Sequence, residues 1–435
     1  MSGSISSRQD AEDAARLLEA CLRGEPWSPE LLRELAKRAA DDLGASRALF
    51  GDLAEGLSDR FESRLAEVYA ELFSEVIAGV LPEFAASELA ARYRRVRAPR
   101  RFTGEASRVE NVFVLSRVTL GADIAVTSLV LDAAKRRFPK AQIWFAAGIK
   151  SYELFAGDPR VRYLPVGYGR GGTLRERLEA ADRLRAGVAR PASLVIDPDS
   201  RITQLGLLPV CPEEDYFFFE SRSYGQDSEE SLTQLTRRWL AETFDVEAAE
   251  AYIAPAERVA WEHGLFITVS LGVGENLAKR IGDPFEQELL RALTQTDLVV
   301  LVDEGPGGEE AERVRRAVAA CEARPGQVRT FRGWFADFAS LIAQSRLYVG
   351  YDSAGQHAAA ACGVSLVCVF AGYPCPRMFT RWRPTGRGPI EVVRVEDPDS
   401  PAVLEQTLAA VGRASAGAEK VLHRLKSVPR RPAKP

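Results

Sequence analysis

Three loops of this 435-residue chain bring together residue types that bind anions or move protons. One runs Gly350-Tyr351-Asp352-Ser353-Ala354-Gly355-Gln356-His357 into an alanine run ending at Cys362-Gly363. Small polar residues and a glycine ahead of such a helix leave its first amides open to an anion such as a diphosphate. His357, one of three histidines in the chain, either donates to that anion or packs as a helix-start imidazole. A second loop, Leu271 to Arg280, sets Gly272 and Gly274 ahead of the basic pair Lys279-Arg280. That composition suits phosphate, without the spacing of a dinucleotide fingerprint or the Gly-Lys-Ser/Thr ending of a Walker loop. In the third, Ser116 to Asp123, the chain enters a helix through Leu120-Gly121-Ala122-Asp123. Asp123 is then either an N-cap or a general base aimed into a cleft.

Two other strings carry less. Asp197-Pro198-Asp199 resembles a metal-binding Asp-x-Asp, but Asp-Pro-Asp-Ser recurs at Asp397 to Ser400, and no metal site is expected. The glycine-rich Gly167 to Gly172 ends a strand ahead of a helix, as a phosphate cradle would, but is read as a flexible loop lining the cleft. Six cysteines, with no Cys-x-x-Cys pair, indicate neither zinc nor a disulfide framework.

The elements that must position these loops are short apolar strands alternating with amphipathic helices. Val112–Leu115, Gln142–Phe145, Arg162–Val166 and Ser193–Ile196 are the predicted strands of a first series. Phe266–Val269, Leu298–Val302, Val328–Phe331, Leu347–Val349 and Ser365–Phe370 form a second. Such alternation implies parallel sheets with helices on both faces, hence an α/β chain of two Rossmann-like domains facing a cleft, with ligands at the carboxyl ends of strands. Residues 105–255 and 256–415 are assigned to these domains and 416–435 to a basic tail.

Residues 1–100 read as an all-α extension. Ser28-Pro29-Glu30 is a helix start, and a stripe from Phe61 to Val76 lies within an amphipathic run over Leu57–Val80. That stripe must be buried, so residues 1–100 are expected to self-associate or dock a partner. Arg92 to Arg101 contains six arginines, read either as a solvated helix end or as a contact for anionic lipid headgroups or a phosphorylated acceptor. A net charge of -4 gives no general attraction for nucleic acid, which is not expected as a partner. With 46% hydrophobic residues, no run long enough to span a bilayer and no secretory signal, the chain reads as cytoplasmic, with attachment at the inner membrane surface left open.

Taken in order, these blocks resemble glycosyltransferase family 9, the lipopolysaccharide heptosyltransferase-like enzymes of GT-B fold. The resemblance spans residues 110 to 415 and rests on Ala122-Asp123, the turn Lys135-Arg136-Arg137-Phe138-Pro139, Tyr152 to Val161, Leu194 to Asp197, Lys279-Arg280 and Gly305 to Glu309. Its most specific block is an Asp-Ser-Gly-x-x-His-x-x-Ala-Ala signature, matched by Asp352, Ser353, His357, Ala360 and Ala361, with the glycine one place later at Gly355. The resemblance implies an inverting, metal-independent transferase without a cofactor. Its donor would be a nucleotide-diphosphate sugar, ADP-heptose by family default, held by Lys279, Glu309, Asp352, Ser353, Gly355, Gln356 and His357. Asp123 would be the catalytic base, and a glycan, a lipid-linked glycan or a protein the acceptor. Arg170, Arg175 and Arg201 are the basic candidates for that acceptor. Two alternatives are a degenerate scaffold that binds nucleotide or glycan without turnover, and a nucleotide-sugar epimerase.

Overall fold

In the computed structural model, residues 2–274 and 276–426 are described, with side chains described for 7–274 and 276–416. The chain forms two compact units. The first comprises the residues up to Tyr152, Asp158–Glu250 and Pro374–Trp382; the second comprises Glu153–Gly157, Ala251–Tyr373 and the residues from Arg383 onward.

The first unit is built on five parallel strands: β1 (Asn111–Leu115), β2 (Gln142–Ala147), β3 (Val161–Pro165), β4 (Ser193–Asp197) and β5 (Tyr216–Phe218). They lie in the order β3-β2-β1-β4-β5. β1 registers Val112 against Ile143 on one side and Leu194 on the other. Its residues Val112 to Leu115 are wholly buried, as a strand covered on both faces requires. β5 has only three residues and no predicted counterpart.

The N-terminal helices belong to this same body. Ser28 caps helix Pro29–Ala39, its hydroxyl accepting from Leu31 N at 3.2 Å. The run predicted over Leu57–Val80 is broken: a π-helical segment, Ala48–Ala54, passes into helix Glu55–Ser58, and a new helix covers Ser63–Val80. Phe61 sits between them with φ 54°, outside either helix. Leu65, Tyr69, Leu72, Phe73 and Val76 share one hydrophobic core with Phe113, Leu115, Leu178 and Phe218 of the sheet layer. The stripe that seemed to require a partner is therefore covered by its own chain. Burial of each large apolar side chain contributes about 1.5–3 kcal/mol, and none of that need come from a second protein.

The arginine run is solvated only in part, and most of its charges are paired. Arg92 is buried against the carbonyls of Gly206 and Leu207 and lies over the Tyr216 ring. Arg94 pairs with Glu67 and Glu71, Arg95 with Glu213, Arg97 with Glu67, and Arg101 with Asp245. Arg100 donates to the carbonyls of Glu214 and Tyr216 at 2.9 Å. Arg92, Arg95 and Arg100 reach the chain around β5, while Arg94, Arg95 and Arg101 keep more than half of their side chains exposed, so the run is a largely paired helix end that is still partly solvated. Among the described residues no helix is long and apolar enough to cross a membrane.

The second unit carries six parallel strands: β6 (Phe266–Ser270), β7 (Val299–Asp303), β8 (Val328–Phe331), β9 (Leu347–Tyr351), β10 (Ser365–Phe370) and β11 (Ile390–Arg394). Their order is β11-β10-β9-β6-β7-β8. Helix Ala402–Lys426 packs on β10 and β11 and runs through the boundary expected at 416. The rest of the assigned basic tail, 427–435, lies outside the described residues.

Candidate functional site

In the second sheet the chain winds outward in one direction from β6 and in the other from β9, and these two strands are neighbours. Loops at their carboxyl ends therefore diverge and leave a crevice, the usual ligand position in such sheets. The loop after β6 supplies Lys279 and the loop after β9 supplies Asp352. Lys279 Nζ lies 2.6 Å from Asp352 Oδ2 and 3.3 Å from the Asp352 carbonyl oxygen. An ammonium has three donors, and these contacts use two of them. The pair is largely buried, with side-chain exposures of 19% and 7%, so solvent screens it weakly.

The other carboxylate oxygen of Asp352 accepts from Gln356 Nε2. Gln356 is fully buried, lies 3.4 Å from His357 Nε2, and among the described residues its own Oε1 has no hydrogen-bond partner. Burial drives the His357 pKa down to about 4; the Asp352 carboxylate opposes the shift and the Lys279 ammonium adds to it. The imidazole is thus neutral at pH 7 and acts through hydrogen bonds, not charge.

Both residues stand in the first turn of helix Ala354–Cys362. Ser353 occupies the N-cap in extended conformation but makes no side-chain cap bond; its hydroxyl is 3.3 Å from Tyr348 OH. The first amides of the helix are left for other acceptors, and the helix dipole favours an anion there. Gly355 is needed for packing: a Cβ at this position would strike the buried Tyr348 ring and hydroxyl. Lys279 is seated from below by the loop after β10. Gly372, with φ +67°, passes so close to Ala278 and the Lys279 amide that no side chain fits between them.

The rest of the Leu271 to Arg280 loop is arranged differently from the phosphate reading. Glu310 accepts from the amides of Val273 (3.1 Å) and Gly274 (3.4 Å), and a Cβ on Gly272 or Gly305 would collide with its carboxylate. These glycines make room for a carboxylate of the chain itself. Arg280 turns away from Lys279 to Glu286 and Asp283, and Glu286 also binds Arg313 and the Tyr351 hydroxyl. Glu309 is exposed in the first turn of its helix. Nearer the strand end is Asp303, at the close of β7, whose pKa burial raises to about 6 against a hydrogen bond from Gly305 N. Neither Glu310 nor Asp303 was singled out in the sequence. A carboxylate ending a strand just ahead of Gly305 was the available signal for Asp303.

In the first unit, the crevice position between β1 and β4 holds Asp123. Helix begins at Leu120 with Thr119 as N-cap, so Asp123 is not the cap but lies one turn in, where a short π-helical stretch, Asp123–Thr127, starts. Its side chain reaches back into the loop. Oδ1 accepts from Arg117 N at 2.7 Å and Thr127 Oγ1 at 2.8 Å, and Oδ2 from Ser116 Oγ at 2.7 Å. Asp123 is fully buried, and burial raises its pKa against the bonds from Ser116, Ser151, Thr127 and Arg117. An acidic group pushed upward suits a base, while this full set of donors also makes Asp123 the organiser of the 116–119 loop.

The Asp197-Pro198-Asp199 carboxylates face separate partners. Asp197 accepts from Tyr216 OH and Thr203 Oγ1 at 2.6 and 2.5 Å, and Asp199 accepts from Ser221 and pairs with Arg222. Arg201 and Arg170 both reach Glu55 of the N-terminal helices, at 3.7 and 3.5 Å, and Arg175 reaches Asp41 at 3.4 Å. The three arginines named for an acceptor are therefore turned toward the helical layer, and the structure groups only Arg170 and Arg201 at one carboxylate.

The chain matches no family model and no curated protein sequence. It is similar to a solved glycosyltransferase family 9 structure from Veillonella parvula, at 15% identity and a TM-score of 0.53, covering 71% of this chain and 97% of that one. The fold is that of the family 9 glycosyltransferases. A second match is the E. coli heptosyltransferase WaaC with ADP-2-deoxy-2-fluoro heptose, at 14% identity and a TM-score of 0.50, covering 70% of this chain and 98% of WaaC. Two parallel sheets of this type, each with its own strand-order reversal, make up the GT-B architecture expected from the strand pattern.

Proposed function

We propose that the protein is an inverting glycosyltransferase that binds a nucleotide-diphosphate sugar on its second unit. The observation that carries this reading is the Lys279, Asp352, Gln356 and His357 cluster at the β6–β9 crevice. The diphosphate lies at the uncapped first turn of helix Ala354–Cys362, with the Lys279 ammonium beside it and neutral His357 as a hydrogen-bond donor. Ribose hydroxyls fall to the carboxylates at the end of β7, and Asp303 takes this role more readily than exposed Glu309. By analogy with the WaaC ligand the donor is an ADP-sugar, heptose in the first instance, and the acceptor is a glycan, lipid-linked or protein hydroxyl.

In the reaction the acceptor oxygen attacks the anomeric carbon, the bond from that carbon to the diphosphate oxygen breaks, and Asp123 takes the acceptor proton. Charge grows on the leaving diphosphate as the bond lengthens. Fixed amides and Lys279 stabilise it without reorganising, and the proposal assigns no metal to the step. Asp123 belongs to the first unit and acts only after giving up one of its present donors, Ser116 being the simplest to rotate.

Titration calorimetry with ADP, UDP and GDP tests the donor site. Micromolar binding of one nucleotide, weakened about tenfold or more in Lys279→Met and in His357→Ala, is the expected result. Asp123→Asn is expected to bind nucleotide normally and to lose transfer. A second reading, a nucleotide- or glycan-binding scaffold without turnover, is favoured by the saturated Asp123 carboxylate and by Glu310 on the Val273 and Gly274 amides. It predicts nucleotide binding that is unchanged by Asp123→Asn, with no sugar transferred to any acceptor.

A further inference from the structure

One cavity of the first unit lies away from the strand ends that carry Asp123. It opens at the amino ends of β1 and β4, has a volume of about 930 Å3, and is walled by Phe84 and Phe102, the end of helix Leu174–Val188, and the Pro209–Pro212 segment. Its floor is apolar and buried: Val109, Val188, Leu194 and Val210 are all under 9% exposed. The volume falls in the range of small-molecule sites.

Chemistry of the lining narrows the class of ligand. Among the described residues no Asn, Gln, His, Thr, Tyr or Lys side chain lines the cavity, and its uncharged polar side chains are Ser193 and Cys211. A heterocycle or sugar placed there would bury polar groups without partners, which costs roughly 1–3 kcal/mol for each. The charged lining side chains are Glu105, Arg108, Arg185, Arg190 and Asp215, the last interacting with the Arg100 charge. Arg108 pairs with Glu105 at 2.8 Å, and Arg185 with Asp182 at 2.6 Å while donating to the Pro209 carbonyl. Arg190 differs from both. Its guanidinium is held over the Trp144 ring at 4.0 Å and the Phe113 ring at 5.6 Å, and among the described residues it has no carboxylate partner. A cation fixed by two rings at the mouth of an apolar cavity offers a planar fork of donors to an oxyanion.

We propose that this cavity binds a single-chain anionic amphiphile, its acyl chain along the Val109, Val188 and Val210 floor and its carboxylate or phosphate on Arg190. The site is independent of the nucleotide-sugar reading and stands or falls separately from it.

The test is displacement of a fluorescent fatty-acid probe, dansyl-undecanoate, from the full-length protein below its micellar concentration. Oleate, lysophosphatidate and neutral monooleoylglycerol are the competitors. Saturable micromolar binding is expected, with monooleoylglycerol weaker than the anionic ligands by roughly fivefold or more. Arg190→Glu is expected to weaken the anions by about tenfold while leaving the neutral competitor unchanged. Ala189→Trp, at an exposed position on the mouth, narrows the entrance and weakens all three. Its fold is checked by circular dichroism, and Arg190→Glu, a surface change, provides the reading if it does not fold. Preference between oleate and lysophosphatidate identifies a carboxylate or a phosphate head, and either supports the proposal. Non-saturable binding, equal affinity for neutral and anionic ligands, or no change in Arg190→Glu overturns it.

Discussion

His357 offers a measurement in which the reasoning about burial can fail cleanly. Its pKa is pushed from 6.5 down to about 4, mainly by burial. At about 1.4 kcal/mol per unit, the folded protein resists protonation of this ring by roughly 3 kcal/mol. The sign follows from proton counting. Between pH 4 and 6.5 the unfolded chain holds the proton and the folded chain does not, so stability rises with pH in that window. The contribution is complete above the unfolded pKa and is lost as pH falls toward the folded value. From pH 7 to pH 5 the loss amounts to about 2 kcal/mol. Asp197 and Asp303, both raised to about 6, act in the opposite sense, since they gain their proton in the folded state first. The wild-type curve alone mixes these effects, and the difference between wild type and His357→Gln isolates the imidazole. Proton NMR titration of the ring C–H signals is the direct assay, and with three histidines in the chain the spectrum is simple. One signal should stay unshifted from pH 8 to below 5 and be absent in His357→Gln. If every imidazole titrates near 6.5, His357 is not sealed as described, and its role as a neutral donor to a diphosphate fails with it.

Glu310→Gln removes the carboxylate charge from the Val273 and Gly274 amides. If a diphosphate approaches that loop, nucleotide affinity measured by calorimetry should rise several-fold, about 1 kcal/mol. Tyr69→Phe deletes a fully buried hydroxyl that has no hydrogen-bond partner among the described residues, so the change should be neutral or stabilising by up to about 2 kcal/mol in denaturant titration, unlike most core substitutions. Gly355→Ala forces a methyl onto the buried Tyr348 ring and should cost about 1–3 kcal/mol by the same measurement.

What the sequence made legible follows from how local each signal was. All nine predicted strands are present, because a doubly covered strand is an uninterrupted apolar run. The missed ones, β5 and β11, lie at sheet edges, are short or only half buried, and look like loop in composition. Lys279, Asp352, Gln356 and His357 do meet at one place, since strand ends in a parallel sheet converge predictably. The partners of Arg170, Arg175 and the arginine run at 92–101 were not legible for a different reason. A charge in sequence does not reveal its counter-charge, and their carboxylates lie as far away as Glu55, Asp41, Glu213 and Asp245. The glycines of the 271–274 loop misled in the same way, because their neighbour is Glu310, some forty residues further on. The stripe on Ser63–Val80 was recognised as buried, but periodicity cannot say against what.

Helix Pro376–Trp382 completes the first unit although the second unit's main segment precedes it in the chain. Arg381, only 1% exposed, donates to the carbonyls of Gln226, Ser228 and Glu230. In the other direction Glu153–Gly157 belongs to the second unit, where Gly157 N and the Leu154 carbonyl bond Ala254. Each half thus keeps a piece of itself in the other's stretch of chain. On the ribosome the first half cannot close its 226–230 loop until residue 382 has emerged, well after most of its own length is made. Halves expressed as separate genes, split at the evident boundary near residue 250, should each lack a strut and assemble only when both are present.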